Sequence, residues 1–278
     1  MRFKLVFFSL IPFFGLLSGC ATIQNQTALA NNNFNSTLWV QSSSEYKANS
    51  LQAYNSAQRH LKIAKQDPAW TAALEQSADY SNLPAAIILD IDETVLDNSQ
   101  YQAQMVLTGS SYSQQTWDEW VAMKSAPALP GAVDFLNTAH QQGIEIFYIT
   151  NRECAPRIAG GETCPQEKDT IDNLKSVGIL DATPKNTLLK NERTDWTSEK
   201  KTRRMVVAEH YKIIMLFGDD LGDFLPDVKN SITPQERDSL VHKHKENWGV
   251  KWFTLANPTY GSWLNILDKP ESAYLKGY

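Results

Sequence analysis

Three largely apolar runs in this chain stop abruptly at polar residues of matched chemistry. Ala85-Ala86-Ile87-Ile88-Leu89 stops at Asp90, Ile144 to Ile149 stops at Thr150, and Lys212 to Phe217 stops at Gly218-Asp219. Runs of this kind read as strands buried on both faces of a parallel sheet. Two shorter runs, Asn186 to Leu189 and Lys251 to Leu255, join the set, and helical stretches over Ala132 to Gln142, Gln166 to Val177 and Ser198 to Tyr211 alternate with them. This rhythm predicts an α/β fold, a mostly parallel sheet with helices on both faces. In such a sheet the C-terminal strand ends share one edge, where ligands bind. Asp90, Thr150 and Asp219 are therefore expected to converge.

Asp90-Ile91-Asp92 carries the sharpest chemistry. On an extended backbone alternate residues share a face, so both carboxylates can address one site. One could attack a phosphorus atom while the other handles the leaving-group proton. Asp-x-Asp at a strand end is equally the pattern of a solvated turn or a helix cap. Asp219 and Asp223 would bring up to four carboxylates into one cleft. Two like charges about 4 Å apart cost on the order of 4 kcal/mol at an effective dielectric of 20, so the cluster calls for a cation. Hard oxygen donors without His or Cys favour Mg²⁺. Gly218 reads as the residue that lets the backbone turn sharply beside the ion.

The first nineteen residues read as a targeting segment: Arg2 and Lys4 precede an apolar core from Leu5 to Leu17, short of the roughly 20 residues a membrane span needs. Leu17-Ser18-Gly19-Cys20 resembles a bacterial lipoprotein signal box, with Cys20 as the lipidated residue. An ordinary secretory signal or a short buried helix are the alternatives. Ala21 stands where that resemblance would put an aspartate for inner-membrane retention, so an outer-membrane anchor is expected. Ala21 to Ser36, rich in Asn and Gln, reads as a flexible tether within the 20–36 segment, and 37–278 as the folded domain. From Thr37 onward Trp39, Val40, Tyr46, Leu51, Tyr54, Ala57, Leu61, Ile63 and Ala64 follow helical spacing.

Removing Arg2 and Lys4 takes the net charge from −5 to −5 − 2 = −7. An acidic chain does not suit a nucleic-acid polymer, nor electrostatic adhesion to anionic lipid; acyl chains at Cys20 would hold it to a membrane instead. Cys154 and Cys164 are then the remaining cysteines, and export to an oxidising compartment predicts a disulfide between them. A metal pair or free thiols are the alternatives.

Two segments carry a family resemblance. Ile87-Ile88-Leu89-Asp90-Ile91-Asp92-Glu93-Thr94-Val95-Leu96-Asp97-Asn98-Ser99-Gln100-Tyr101 and Ile214-Met215-Leu216-Phe217-Gly218-Asp219-Asp220-Leu221-Gly222-Asp223-Phe224 resemble the two signatures of the class C nonspecific acid phosphatases. These are bacterial lipoproteins of the haloacid dehalogenase superfamily. Asp220 departs from the Asn or Thr more usual there. The resemblance spans about Trp39 to Tyr278 and implies the haloacid-dehalogenase-like fold with a small helical N-terminal or cap element.

It also implies roles. Asp90 is expected as the nucleophile that forms an aspartyl-phosphate, Asp92 as acid then base, and Thr150 as a hydrogen-bond donor to phosphate. Lys200, in Ser198-Glu199-Lys200-Lys201-Thr202-Arg203-Arg204, is expected to steady phosphate and nucleophile, with Lys201 the competing choice. Such a charge run otherwise reads as a solvated face. Mg²⁺ would be held by Asp90, the Asp92 backbone carbonyl, Asp219, and Asp223 directly or through water. Asp97 reads as a turn residue; Asn98 could orient the phosphate pocket or form part of the same turn.

The substrates implied are small phosphomonoesters, with nucleoside 5′-monophosphates and nicotinamide mononucleotide foremost. Tyr260, in a loop similar to the family's C-terminal one, is the candidate stacking residue; Tyr101 and Trp117 are candidates for the opposite wall, and Asn151 for a polar contact. Trp120 and Trp263 read as core. Two rivals stand beside hydrolysis: phosphoryl transfer to an alcohol on the same scaffold, and a non-enzymatic lipoprotein that binds a surface. Sequence leaves the oligomeric state open, a homodimer being one option.

Overall fold

The computed structural model describes residues 33–77 and 79–278. The targeting segment, Cys20 and the tether as far as Asn32 lie outside the described residues. The elements run α1 (Phe34–Ser42), α2 (Ser44–Gln66), β1 (Ala85–Leu89), α3 (Ser99–Thr108), α4 (Gln114–Met123), α5 (Ala132–Gln141), β2 (Glu145–Glu153), α6 (Pro165–Ser176), β3 (Thr187–Lys190), α7 (Lys201–Ala208), β4 (Lys212–Gly218), α8 (Pro234–Lys243), β5 (Trp252–Thr254) and α9 (Ser262–Asn265). Among these, no helix is long and apolar enough to cross a membrane.

The five strands form one parallel sheet in the order β3-β2-β1-β4-β5. Every residue of β1 and β4 is buried, as expected for strands covered on both faces. Alternation splits their side chains into two cores. Ile87, Leu89, Tyr148 and Phe217 pack with Tyr54 and Leu61 of α2, Phe135 of α5 and Leu174 of α6. Ala86, Ile88, Phe147 and Leu216 pack on the other face with Val207 of α7, Phe224 and Trp252. The chain winds outward from β1 to β2 and β3, then returns to place β4 on the opposite side of β1. That reversal opens a crevice beyond the C-terminal ends of β1 and β4, the place where α/β sheets bind ligands. Helices α3 and α4 fill the connection between β1 and α5; α3 packs against α1 and α4 against α6.

Several expectations are corrected. Helix α1 begins at Phe34, so the last residues assigned to the tether are helical. The helix expected over Ser198 to Tyr211 is confined to Lys201–Ala208. Leu51 and Ile63 face solvent on α2, whose buried stripe is Tyr46, Ser50, Tyr54, Ala57, Leu61 and Ala64. Ser50 enters that stripe because its hydroxyl donates to Pro130 O at 2.7 Å. Trp263 is 39% exposed, whereas Trp120 is buried as expected. Helix α8 went unread although Thr233-Pro234-Gln235-Glu236 forms a capping box with Pro at the first turn.

Candidate active site

Asp90 follows the last residue of β1 and is held there by its own amide, which donates to Phe217 O of β4 at 3.0 Å. The pairing of Leu89 with Phe217 and Tyr148 sets Asp90 level with the ends of both neighbouring strands. One oxygen from each of Asp90, Asp219 and Asp223 falls within 4.8 Å of the others. Three oxygens this close, on carboxylates aimed at one point, suit a hard octahedral ion such as Mg²⁺. Gly218 belongs to this cradle for a reason different from the sharp turn expected of it. A Cβ there would lie 2.2 Å from Asp223 Oδ2 and 2.3 Å from its Cβ, so glycine makes room for the third carboxylate. Gly218→Ala should displace Asp223 and weaken divalent-metal binding by tenfold or more, readable by calorimetric titration; unchanged affinity would refute the cradle.

Lys200 supplies the opposing charge. Lys200 is 3% exposed, and its ammonium is ion-paired with Asp90 and 2.5 Å from Asp223 Oδ1. Burial works against the ammonium, but Asp223 and Asp90 outweigh it and hold Lys200 above the ordinary lysine value. Lys201 is exposed on the first turn of α7, so the structure places Lys200 at the site. The charge run around it is not a solvated face. Arg203 is fully buried and donates to Thr150 O at 2.5 Å and Asn151 Oδ1 at 2.9 Å. Arg204, equally buried, pairs with Glu75 and donates to Asp223 O at 2.9 Å. The run thus anchors the ends of β2 and β4 from beneath.

The carboxyl of Asp90 is pushed up to about 7, mainly by burial, against the pull of Lys200. Burial, then Asp90 and Asp223, also holds Asp219 well above the ordinary carboxylate range. A raised carboxyl means the folded, metal-free chain binds protons that the unfolded chain has released. Its contribution to stability is present below about pH 4 and is lost as pH rises through about 7. In chelator, the melting temperature should fall between pH 5 and 7.5, and Mg²⁺ should restore it mainly at the upper end. A metal-free melting temperature that rises over that window would overturn the assignment.

The Asp92 carboxylate lies outside the metal-suited cluster. Arg152 forks onto it, Nη2 to Oδ1 at 2.8 Å and Nε to the two oxygens at 3.1 and 3.3 Å. Asn98 Nδ2 adds a bond to Oδ1 at 3.0 Å, and the Thr150 hydroxyl lies 3.4 Å from Oδ2. Arg152 is itself buried and tied to Thr170 Oγ1 at 3.1 Å. The sequence reading missed Arg152, although its place two residues beyond Thr150 on an extended strand puts both on one face. Asn98 proves to be a positioning residue: Trp120 Nε1 donates to its Oδ1 at 2.8 Å. Asp97 instead accepts from Ser99 N at 2.8 Å, the turn expected of it.

The remaining expected residues line a cleft of about 730 Å³ that opens from Asp90. Tyr101 and Trp117 meet edge to face, with ring centroids 5.1 Å apart, on the α3–α4 side. Tyr260 faces them from the loop before α9, its hydroxyl hydrogen-bonded to the buried Glu93. Asn151 also lines the cleft, but its amide oxygen is taken by Arg203. Asp220, where the signature usually differs, caps the short turn at Leu221–Asp223 and accepts from Ser262 N at 2.6 Å and Ser262 Oγ at 2.7 Å. It fastens the Tyr260 loop to the metal-side turn. Cys154 and Cys164 are disulfide-bonded at the rim of β2.

The family model described as HAD superfamily, subfamily IIIB (acid phosphatase) matches residues 17–263. A crystal structure of the class C acid phosphatase from Bacillus anthracis with tungstate bound superposes with a TM-score of 0.72 at 32% identity, covering 90% of this chain and 99% of that one. Acid phosphatase 1 of Solanum lycopersicum is 25% identical over 142 residues, 50% of this chain and 51% of its own. The stem 28 kDa glycoprotein of Glycine max is 26% identical over 143 residues, again 50% of this chain and 52% of its own. The match thus spans about half the length of these curated relatives. Near-complete structural coverage and a family match over most of the sequence place this chain in the acid phosphatase subfamily IIIB of the HAD superfamily, with the class C enzymes.

Proposed function

We propose that this protein is a Mg²⁺-dependent phosphomonoesterase that works through a covalent aspartyl-phosphate. The observation that carries the reading is a buried carboxylate, Asp90, set between an ammonium and two further carboxylates at the floor of an open cleft. An Asp90 oxygen attacks phosphorus, the P–O bond to the ester oxygen breaks, and Asp92 gives that oxygen a proton. Water then attacks the phosphorus of the aspartyl-phosphate, passing its proton to Asp92, and inorganic phosphate leaves with Asp90 restored. Arg152 forks onto both Asp92 oxygens, so the proton must occupy a lone pair that the fork leaves open. Lys200 balances charge on the transferred group. A Mg²⁺ held by Asp90, Asp219, Asp223 and the Asp92 carbonyl would offset the phosphoryl charge. The Bacillus anthracis relative binds tungstate, a tetrahedral oxyanion, which supports a phosphoryl group as ligand of this fold.

Tyr101, Trp117 and Tyr260 favour ester substrates whose leaving group carries a flat ring, with nucleoside 5′-monophosphates and nicotinamide mononucleotide as the class. The signal box at Leu17 to Cys20 supports attachment to the bacterial outer membrane through lipid at Cys20, which would release phosphate and nucleosides outside the cytoplasm. The test is phosphate release from AMP, nicotinamide mononucleotide and glycerol 3-phosphate by the full chain in detergent, with Mg²⁺ or with chelator. Release is expected with Mg²⁺ and not with chelator. No release from any of them at acidic or neutral pH would instead favour a ligand-binding lipoprotein.

A further inference from the structure

The disulfide loop between β2 and α6 reaches the far side of the cleft through one side chain. Arg157 forks onto Asp118 of α4, Nε to Oδ2 at 2.7 Å and Nη2 to Oδ1 at 3.0 Å, while its Nη1 donates to Asp169 Oδ2 of α6 at 2.6 Å. The loop that offers Arg157 is itself fixed: Cys154 is bonded to Cys164, and Ala155 N donates to Gln166 Oε1 at 3.2 Å. Gln166 Nε2 also donates to Asp118 Oδ1 at 3.0 Å. Asp118 is thus gripped from two directions, in a setting where its side chain is 19% exposed. Charge-assisted, two-pronged bonds of this kind fix geometry as well as add energy.

What they fix is the middle of α4, one residue after Trp117. This helix is ten residues long, too short to be stable by itself, and it follows an exposed segment. Its second half is anchored by the buried Trp120 and Val121, with Trp120 bonded to Asn98 and so to Asp92. Its first half carries Trp117, whose ring meets Tyr101 and lines the cleft beside Asp118. The catalytic end of the network hangs on Trp120; the substrate-facing end is held by Asp118 together with the Ser113 cap and the 2.9 Å hydroxyl bond between Thr116 and Tyr101.

We propose that Arg157 is a positioning residue for substrate selection: by holding Asp118 it sets Trp117 against the ring of the leaving group, without touching the phosphoryl chemistry. This rests on the aromatic-wall reading given under the proposed function. Losing the fork should let the Trp117 end of α4 drift while Trp120 keeps Asn98 and Asp92 in register. The consequence is a KM effect confined to ring-bearing substrates.

The test compares AMP with the ringless glycerol 3-phosphate, using full-length enzyme with Mg²⁺. Arg157→Gln should raise KM for AMP about five- to tenfold, the order of one net hydrogen bond carried through to the substrate site. Its kcat should stay within about twofold, and both constants for glycerol 3-phosphate should hold. Asp118→Asn should do the same, and the double variant should be no worse than Arg157→Gln, since both break one link. Arg157→Lys, which keeps charge but not the fork, should fall between. If Arg157→Gln does not fold, Asp118→Asn carries the test, because Arg157 then retains Asp169. Equal losses on both substrates, or an unchanged AMP KM where Trp117→Ala raises it, would overturn the proposal. If Trp117→Ala and Tyr101→Ala leave the substrate ratio untouched, the aromatic wall itself falls. Absence of turnover in the wild type would refute the phosphatase reading instead.

Discussion

Asp90→Asn is expected to abolish phosphate release, by roughly 10⁴-fold or more, the scale on which nucleophile removal acts in enzymes with a covalent intermediate. The amide has nearly the same shape as the carboxylate but cannot form an acyl phosphate. The same change removes one negative charge from a buried cluster that already holds Asp219 and Asp223, and Lys200 keeps Asp223 as a partner. The variant should therefore fold, and without metal it should melt no lower than the wild type. A brief incubation with radiolabelled substrate should leave hydroxylamine-sensitive label on the wild type and none on the variant. Retention of more than about one part in a hundred of the activity would exclude Asp90 as nucleophile.

Lys200→Met carries the second large effect, and its sign on stability is the reverse. Methionine fills a similar volume but leaves Asp90 and Asp223 without their buried ammonium. Breaking a buried pair by removing one partner costs about 3–5 kcal/mol. In chelator at neutral pH the melting temperature should drop accordingly, and Mg²⁺ should recover part of it. Turnover should fall about 10²–10³-fold even at saturating metal, because a preorganised positive charge beside the transferred group is lost. Lys201→Met, at an exposed position, should change neither quantity by much. If the Lys201 variant were the inactive one, the charge assignment would be wrong.

The opposite stability signs of these variants separate the roles of two residues that a simple activity assay would not distinguish. Both rest on the same arrangement: carboxylates whose repulsion the fold tolerates because one lysine is buried among them. Asp219 shows the strain of that arrangement most directly, since burial and its two acidic neighbours lift its carboxyl far above the ordinary range.

Strand ends were legible in the sequence because a buried parallel strand writes itself as a local apolar run, and the residue after the run is by geometry at the sheet edge. Asp90, Thr150 and Asp219 could be named on that basis alone, Asp92 by its alternation with Asp90, and Asp223 as a further carboxylate near Asp219. The buried stripe of α2 was read only in part. Spacing gives a helix its face, but a serine with a partner across 80 residues can enter the core while Leu51 and Ile63 stay outside. Beyond Lys200, the basic run up to Arg204 was open to reading as a solvated face because sequence shows its charge and not its acceptors. Those acceptors are the Thr150 and Asp223 carbonyls and Glu75, all remote along the chain.

The sequence by itself determined the sheet, the place of Asp90 at a strand end, the acidic character of the metal-suited cluster, and the family. These depend on local patterns: the period of a strand, the stop of an apolar run, the order of residues in a motif. Tertiary structure decided which lysine is buried, that Arg152 holds Asp92, that Gly218 clears space for Asp223, and that Tyr260 bonds to Glu93. Each of these is a contact between segments brought together only when β1, β2 and β4 align, and a charge takes its value from what surrounds it after that alignment.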